Sequence, residues 1–166
     1  MELLGVKLEL PLNMPVLLLR EQTGERRVLP IYIAQPEAQS IQWALDGKEP
    51  PRPMTHDLMR DLLAALGARV ERIVVTELRE SEGGGGTFFA ELHLDQAGKK
   101  ITISSRPSDA VALAVRVGAP IFADESVLAS AAMAGPQEED EAEEQEEIVD
   151  QFREFLDEVN PEDFAS

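Results

Sequence analysis

The sequence of 166 residues contains no cysteine. Disulfide bonds, thiolate metal sites and cysteine nucleophiles are therefore excluded, although this absence alone does not identify a reducing compartment. Aromatic residues make up only 5% of the chain, whereas hydrophobic residues reach an ordinary 43%. Any core must therefore be built mainly from leucine, isoleucine, valine and alanine, and the length suits one domain of the usual ~100–200 residues.

Long hydrophobic runs are also missing. The longest charge-free apolar run near the start, Pro11 to Leu19, is shorter than the ~20 residues that span a bilayer. It also lacks the basic segment that opens a signal peptide. We therefore expect a soluble, cytoplasmic protein.

Basic residues are few and dispersed, and no continuous basic stripe of the kind typical of nucleic-acid-binding proteins is visible. The net charge is −17, but residues 137–166 hold 14 acids and one base, Arg153, a net −13 that leaves −4 for residues 1–136. The acidity therefore belongs to the tail. We predict a compact domain over residues 1–134 and an acidic linker over residues 135–147, disordered because its charges repel one another.

Residues 148–166 differ from the acidic linker because apolar residues recur there at helical spacing. The apolar residues are Ile148, Val149, Phe152, Phe155, Leu156 and Val159. This pattern predicts a C-terminal amphipathic helix followed by a short tail. The helix either docks on its own domain, which the tether favours through a high effective concentration, or binds a partner protein.

Apolar periodicity predicts seven strands and four helices in the compact domain. The strands lie near residues 6–10, 16–19, 28–33, 70–78, 88–94, 100–104 and 120–123, and the helices near 36–46, 55–66, 110–117 and 125–134. The helix at 110–117 is apolar nearly all round, so we expect it to be buried. The fold class is therefore α+β: a mixed, largely antiparallel sheet with helices packed on it, forming a single compact domain, plus the C-terminal helix.

Polar residues cluster at the starts of two of these helices. One cluster contains Arg52, Thr55, His56 and Asp57, and the other contains Ser105, Arg106, Ser108 and Asp109. A helix N-terminus beside an arginine suits a phosphate or another anion. The same residues also fit a purely structural reading, in which Thr55, Ser105 or Ser108 cap the helices and the aspartates complement the helix dipole.

Three motifs resemble the bifunctional nuclease family. They are Leu29-Pro30-Ile31-Tyr32-Ile33 with Pro36-Glu37-Ala38, then Arg52-Pro53-Met54-Thr55-His56-Asp57-Leu58, then Ser105-Arg106-Pro107-Ser108-Asp109-Ala110 continuing to Arg116. The resemblance spans about residues 1–134 and follows the family's order and spacing. It implies a compact α+β domain, often oligomeric, in a family whose plant members are described as degrading both DNA and RNA.

The resemblance brings no settled set of catalytic residues, so we assign roles from chemistry. Phosphodiester hydrolysis needs an activated water and stabilisation of charge on the phosphorus oxygens. The candidate catalytic residues are His56, Asp57, Asp109 and Glu37. Asp57 and Asp109 are also the candidate ligands of a divalent metal, most simply Mg²⁺. Arg52, Thr55, Arg106 and Ser108 are the candidate substrate-binding residues.

The sequence thus predicts a metal-assisted nuclease of little sequence specificity that acts on DNA, RNA or both. The expected partners are nucleic acid as substrate, a second copy of the chain in a homo-oligomer with a dimer favoured, and a possible protein for the C-terminal helix. The alternative is a non-enzymatic module that binds a small anionic ligand or serves a regulatory interaction. Trp43 either stacks on a base or packs as a half-buried side chain or oligomer contact, and His93 receives no role.

Overall fold

The computed structural model describes residues 1–9, 13–80 and 85–135. The strands are β1 (Glu2–Glu9), β2 (Met14–Arg20), β3 (Val28–Tyr32), β4 (Ala68–Glu80), β5 (Gly86–Gln96), β6 (Lys99–Ser105) and β7 (Ile121–Ala123). The helices are α1 (Gln35–Leu45), α2 (Thr55–Ala65), α3 (Pro107–Val117) and α4 (Glu125–Ala131). The predicted α+β class is confirmed, and the seven strands and four helices predicted for the compact domain all occur, with bounds that differ at their ends.

The strands divide between two sheets, whereas the sequence predicts one mixed sheet. The first sheet is antiparallel with the order β1-β2-β3, and Leu17 lies opposite Val6 on one side and Ile31 on the other. The second sheet has the order β6-β5-β4-β7. It is antiparallel except at β7, which pairs in parallel with β4 through Ile73 and Ile121.

Helix α3 lies in the middle of the core. Its residues Ala110, Val111, Ala112 and Leu113 are fully buried, because α1, α2 and both long strands β4 and β5 pack around it. Burying a side chain the size of valine or leucine contributes about 1.5–3 kcal/mol to folding. The prediction of a buried helix here is therefore confirmed.

The ends of α3 fix its position in the chain. Pro107 occupies the first turn, where its missing N–H costs nothing. Gly118 ends the helix with φ 68° and ψ 28°, a left-handed conformation that glycine adopts without strain. These ends place Arg106 at the N-cap of α3 and Asp109 in its first turn.

The start of α2 differs in one detail from the sequence analysis. Met54 rather than Thr55 occupies the N-cap position, and Thr55 is the first helical residue. The Asp57 carboxylate accepts a hydrogen bond of 2.9 Å from the Met54 N–H and so satisfies a donor at the helix start. The connector before α2 contains three prolines and cannot form a helix of its own.

The predicted linker over 135–147 and the predicted C-terminal helix over 148–166 lie outside the described residues, apart from Gly135. The compact unit that the structure describes runs from Met1 to Ala134. Its four helices have 7 to 11 residues. None of these described helices is long and apolar enough to span a membrane.

Candidate active site

The starts of α2 and α3 meet although they are far apart in sequence. His56 is the second residue of α2 and Asp109 is the third residue of α3. The Nε2 atom of His56 lies 3.2 Å from Oδ1 of Asp109. Both helices pack against each other at this end, which brings the two polar clusters to one place.

Helix α1 supplies a third side of the site. The hydroxyl oxygen of Ser40 lies 2.8 Å from Nδ1 of His56. Glu37 precedes Ser40 by one helical turn and accepts a 2.7 Å hydrogen bond from Arg106. Residues three apart on a helix share a face, so one face of α1 presents both side chains to His56 and Arg106.

For a neutral imidazole, the hydrogen bonds around His56 fit one assignment of protons. Arginine can only donate, so Arg116 Nη2 donates to Ser40 Oγ at 3.1 Å. The single hydroxyl proton of Ser40 can then point to His56 Nδ1. With a neutral imidazole, the other ring nitrogen donates to the Asp109 carboxylate. The result is one directed chain of hydrogen bonds from Arg116 through Ser40 and His56 to Asp109.

Arg106 carries the positive charge on the open side of the site. It donates from Nε to Asp109 Oδ2 at 2.7 Å and from Nη2 to Asp109 Oδ1 at 2.9 Å. Hydrogen bonds to Asp109 and Glu37 raise the pKa of Arg106, so it stays charged. Its side chain is still 63% exposed, and the bonds to the two acids use Nε and Nη2, which leaves the Nη1 donors for a ligand.

The pKa of Asp109 lies below its ordinary value. Burial alone would raise this pKa, but the hydrogen bonds from Arg106 and His56 outweigh the burial. Asp109 is therefore ionised near neutral pH. An ionised carboxylate orients the imidazole of His56 and stabilises it if it becomes protonated.

Asp57 adjoins His56 in sequence but has other partners. Arg116 Nε donates to Asp57 Oδ1 at 2.6 Å, and both side chains are largely buried, with 6% of Arg116 and 13% of Asp57 exposed. Burial would raise the pKa of Asp57, but Arg116 and the Met54 N–H hold it below its ordinary value. This ion pair ties α2 to α3. The predicted catalytic and metal-binding roles of Asp57 stay predictions, with both of its oxygens already engaged.

The cleft at this site has a volume of about 160 Å³. Its lining residues are Pro36, Glu37, Gln39, Ser40, Trp43, Met54, Thr55, His56, Arg106, Asp109 and Arg116. Asp57 instead lines a separate cleft of about 360 Å³ with the proline-rich connector, and that cleft has no histidine or serine in its wall. Of these two clefts, the smaller one therefore holds the histidine and the serine.

The remaining predicted substrate-binding residues divide between cleft and surroundings. Thr55 is exposed and lines the cleft. Ser108 is 6% exposed and is not among the lining residues. Arg52 is exposed in the connector and also lies outside the lining. The structure therefore brings together Glu37, Thr55, His56, Arg106 and Asp109.

The donors for a metal ion are limited in the described part of the chain. No group of three or more histidine, aspartate or glutamate side chains there is arranged to hold a metal ion. Asp57 and Asp109 line different clefts. Each carboxylate already accepts hydrogen bonds from an arginine, Arg116 and Arg106 respectively. The Oε2 atom of Glu37 is different, because it is buried without a hydrogen-bond partner among the described residues. An unsatisfied buried oxygen costs free energy and suits a ligand, a water or a cation.

Two residues of this site were not among the sequence-predicted candidates. Ser40 lies one turn after Glu37 on α1, and Arg116 lies two turns after Asp109 on α3. Helical spacing from the predicted candidates is therefore the signal that could have found both. Trp43, for which the sequence predicts either base stacking or half-buried packing, is partly buried in the cleft wall.

Comparison with known protein families decides what kind of domain this is. The bifunctional nuclease domain matches residues 17–135, which is well over half of the chain and includes all the cleft residues. The chain belongs to the bifunctional nuclease domain family. The resemblance predicted from the three motifs is thereby confirmed.

Relatives of this family member fall into two groups. A protein of Mycobacterium tuberculosis described as uncharacterized is 48% identical over 165 residues, which cover 98% of this chain and 95% of the relative. Bifunctional nuclease 2 of Arabidopsis thaliana is 28% identical over 109 residues, 63% of this chain and 31% of the plant protein. Bifunctional nuclease 1 of the same plant is 27% identical over 110 residues, 64% of this chain and 32% of the plant protein. The similarity to the plant proteins thus covers about a third of their length.

Proposed function

We propose that this protein hydrolyses phosphodiester bonds in DNA, RNA or both. The observation that carries the proposal is the pairing of His56 with Asp109 beside the exposed cation of Arg106. A histidine held by an ionised carboxylate can move protons, and an arginine can hold a phosphate through paired donors. The names of the plant relatives support the same reaction class.

The proposed roles follow from position in the cleft. His56 transfers the proton, and Asp109 orients the imidazole and stabilises its charged form. Arg106 binds the scissile phosphate through its Nη1 donors. Glu37 accepts a hydrogen bond from the substrate or from the attacking water at its unpartnered Oε2. Thr55 offers a hydroxyl at the rim, and Arg52 contacts the phosphate backbone outside the cleft.

Little sequence specificity is expected of such a site. A cleft of about 160 Å³ accommodates a phosphate and part of one nucleotide, not a series of bases. Trp43 offers an aromatic face in its wall, and stacking on such a face tolerates any base. Contacts to phosphate likewise carry no sequence information.

We further propose that a divalent cation, most simply Mg²⁺, assists the reaction. Mg²⁺ requires only one or two carboxylates when water and substrate phosphate complete its shell. Asp109 is the predicted ligand that lies on the cleft, and to bind the ion it would exchange a hydrogen bond from Arg106. Asp57 would join it only by releasing Arg116. When bound, the ion would neutralise charge on the phosphate.

The test is cleavage of labelled single-stranded DNA, double-stranded DNA and RNA by protein purified in parallel with its variants. We expect His56→Gln and Asp109→Asn to lose cleavage, whereas His93→Gln retains it, because His93 lies on β5 with Arg72 and Glu91 as neighbours. Chelation followed by added Mg²⁺ tests the cation separately. Cleavage that persists unchanged in both site variants would contradict the proposal, since it would come from elsewhere.

The second candidate function is an anion-binding module without turnover. The exposed guanidinium of Arg106 at the start of α3 favours it, since a helix N-terminus and an arginine suffice to bind an anion. Saturable binding of an oligonucleotide or of a nucleoside monophosphate that Arg106→Met abolishes, together with no cleavage by rigorously purified protein, would favour this function over the nuclease.

The predicted homo-oligomer, with a dimer favoured, stays a prediction. Exposed apolar side chains follow one face of α2 and the residues flanking it. They are Met54, Leu58, Leu62 and Leu66. Light scattering of the wild type and of Leu62→Glu measures whether this face associates.

A further inference from the structure

Both ring nitrogens of His56 already have partners in the cleft. Asp109 takes Nε2 and Ser40 takes Nδ1. A base at Nδ1 can therefore receive a proton only from Ser40, or from another group after Ser40 has moved away. This geometry makes Ser40 the group that His56 is positioned to deprotonate.

The surroundings of Ser40 also favour a reactive hydroxyl. A serine inside a helix commonly bonds the carbonyl one turn before it. Ser40 instead lies between His56 Nδ1 at 2.8 Å and Arg116 Nη2 at 3.1 Å, and it lines the cleft. The Arg116 side chain is 6% exposed, so water screens its charge poorly. Asp57 pairs with Nε, while Nη2 faces Ser40 and stabilises a developing alkoxide. Arg116 is also fixed by Asp57 and by the Ala112 carbonyl, so it cannot turn away at little cost.

The arrangement has the logic of a nucleophile, a base and an orienting carboxylate. In the serine hydrolases with a Ser-His-Asp triad, the serine bonds Nε2 and the carboxylate bonds Nδ1. Here the two ring nitrogens are exchanged, with Ser40 at Nδ1 and Asp109 at Nε2. The exchange preserves what the mechanism needs: the serine hydroxyl contacts one ring nitrogen, which takes its proton, and the carboxylate contacts the other.

We propose that Ser40 is the catalytic nucleophile of this site, a proposal that rests on the proposed phosphodiester substrate. Ser40 Oγ attacks phosphorus while its proton passes to His56 Nδ1. The Oγ–P bond forms, the bond from phosphorus to one ester oxygen breaks, and that oxygen leaves as an alcohol after taking a proton through solvent from the imidazolium. A phosphoserine diester remains on the protein.

Water completes the reaction. His56 removes a proton from a water molecule, whose oxygen attacks phosphorus and breaks the Oγ–P bond. Ser40 regains its proton from the imidazolium, so the net change is hydrolysis of one phosphodiester. Arg106 holds the phosphate oxygens in both steps, and Asp109 stabilises the imidazolium each time it forms.

The first experiment needs no nucleic acid. A fluorophosphonate probe phosphonylates an activated serine with loss of fluoride, and intact-mass and peptide analysis locate the adduct. We expect a single label per chain at Ser40, formed more slowly by about 10²–10⁴-fold in His56→Gln, the range that general base catalysis contributes. Ser130→Ala is the matched control, because Ser130 also lies inside a helix but bonds backbone carbonyls of Ser126 and Val127. No label at Ser40 under conditions that label a serine hydrolase overturns the proposal.

A second variant, Ser40→Cys, tests the position in case Ser40→Ala does not fold. The chain has no cysteine, so Ser40→Cys introduces a single thiol whose reactivity reports on position 40. We expect His56 and Arg116 to lower the thiol pKa below the ordinary ~8.5. Alkylation by iodoacetamide should therefore continue at lower pH than in Ser130→Cys, and His56→Gln should shrink this difference, leaving the part that Arg116 contributes. Equal pH profiles for the two thiols contradict an activated position 40.

The substrate-level experiment separates this proposal from the proposed function. We expect wild-type protein mixed with labelled oligonucleotide to form a denaturant-stable adduct that Ser40→Ala lacks. If the probe labels Ser40 but the protein cleaves no nucleic acid, Ser40 is still an activated nucleophile and the nuclease proposal is overturned. Loss of a nucleophile lowers the rate by far more than about threefold. If Ser40→Ala cleaves within about threefold of wild type, the nuclease proposal stands and the proposal that Ser40 is the nucleophile is overturned.

Discussion

The imidazole of His56 lies 3.2 Å from the carboxylate of Asp109, although 53 residues separate them in the chain. The pair joins the first turns of two helices that would otherwise be only neighbours in the core. It also sets the direction of the hydrogen bonds that continue to Ser40. Two helix starts that each look like an ordinary cap in sequence thus form one site.

The pairing predicts that His56 and Asp109 act as one unit in catalysis. Residues that act together show effects that are far from additive. We expect the double variant His56→Gln/Asp109→Asn to cleave within about threefold of the slower single variant, measured as kcat/KM. His93→Gln/Asp109→Asn is the control pair, and its effects should add because His93 lies outside the cleft. Additive losses in the first pair would mean that the two residues work independently.

Arg106 should contribute one phosphate contact to nucleic-acid binding. We expect Arg106→Met to weaken binding of all sequences alike and to reduce the slope of log affinity against log salt by about one. Arg79→Met is the control, because Arg79 is exposed on β4 and paired with Glu77. Fluorescence anisotropy titrations at several salt concentrations measure both slopes. An unchanged slope in Arg106→Met would exclude Arg106 from the phosphate site.

The ion pair of Asp57 and Arg116 should stabilise the fold, because both side chains are largely buried. Removing one partner of a buried pair costs about 3–5 kcal/mol, so we expect Asp57→Ala to lose that much at pH 7 in urea unfolding. Asp61→Ala should lose less than about 1 kcal/mol, because Asp61 and Arg60 are exposed. Equal losses in the two variants would contradict the structural role.

The same pair predicts a pH dependence with a definite sign. The folded pKa of Asp57 lies below the ordinary 3.8. Stability from this group is therefore fully present above pH 3.8 and is lost as the pH falls through the lower folded value. The difference between wild type and Asp57→Ala should stay constant from pH 7 to about pH 5 and shrink below about pH 4. A difference that grows on acidification would reverse the assignment.

Trp43 is the only tryptophan of the chain, so its fluorescence reports on the cleft wall. If a base stacks on it, we expect oligonucleotide binding to quench the emission. Trp43→Ala should weaken binding by about 1–3 kcal/mol, whereas Trp43→Phe should retain most of the affinity. Phe122→Ala is the control, because Phe122 is exposed on β7. Unchanged emission at saturating oligonucleotide would leave Trp43 a packing residue.

The acidic segment of the tail should compete with nucleic acid for the basic side chains of the domain. Residues 137–166 lie outside the described part of the chain, so this prediction rests on their net charge of −13. Replacing the acids between Glu138 and Glu147 by glutamine or serine should tighten nucleic-acid binding. The gain should be largest at low salt, where screening extends over ~30 Å at 0.01 M. Equal binding by both proteins would make the segment a spacer.

Local sequence patterns were sufficient to predict the elements. The dense apolar run of Val16 to Leu19, the nearly all-round apolar helix of Ala110 to Val117 and its stop at Gly118 each depend on the backbone and on near neighbours. The family resemblance came from local motifs as well. The strands could not be divided between two sheets, because pairings such as Ile73 with Ile121 join residues that no local pattern connects.

The sequence by itself determined which residue types were available: no thiol, two histidines, and aspartates and arginines at two helix starts. Tertiary structure alone decided how they were used. Asp57 and Asp109 occupy the same position, third from the start of their helices, and looked equivalent in sequence. Packing gave Asp57 the buried guanidinium of Arg116 and gave Asp109 the imidazole of His56. Packing also placed Ser40 against that imidazole, because the rotation of α1 about its axis depends on the core that it covers.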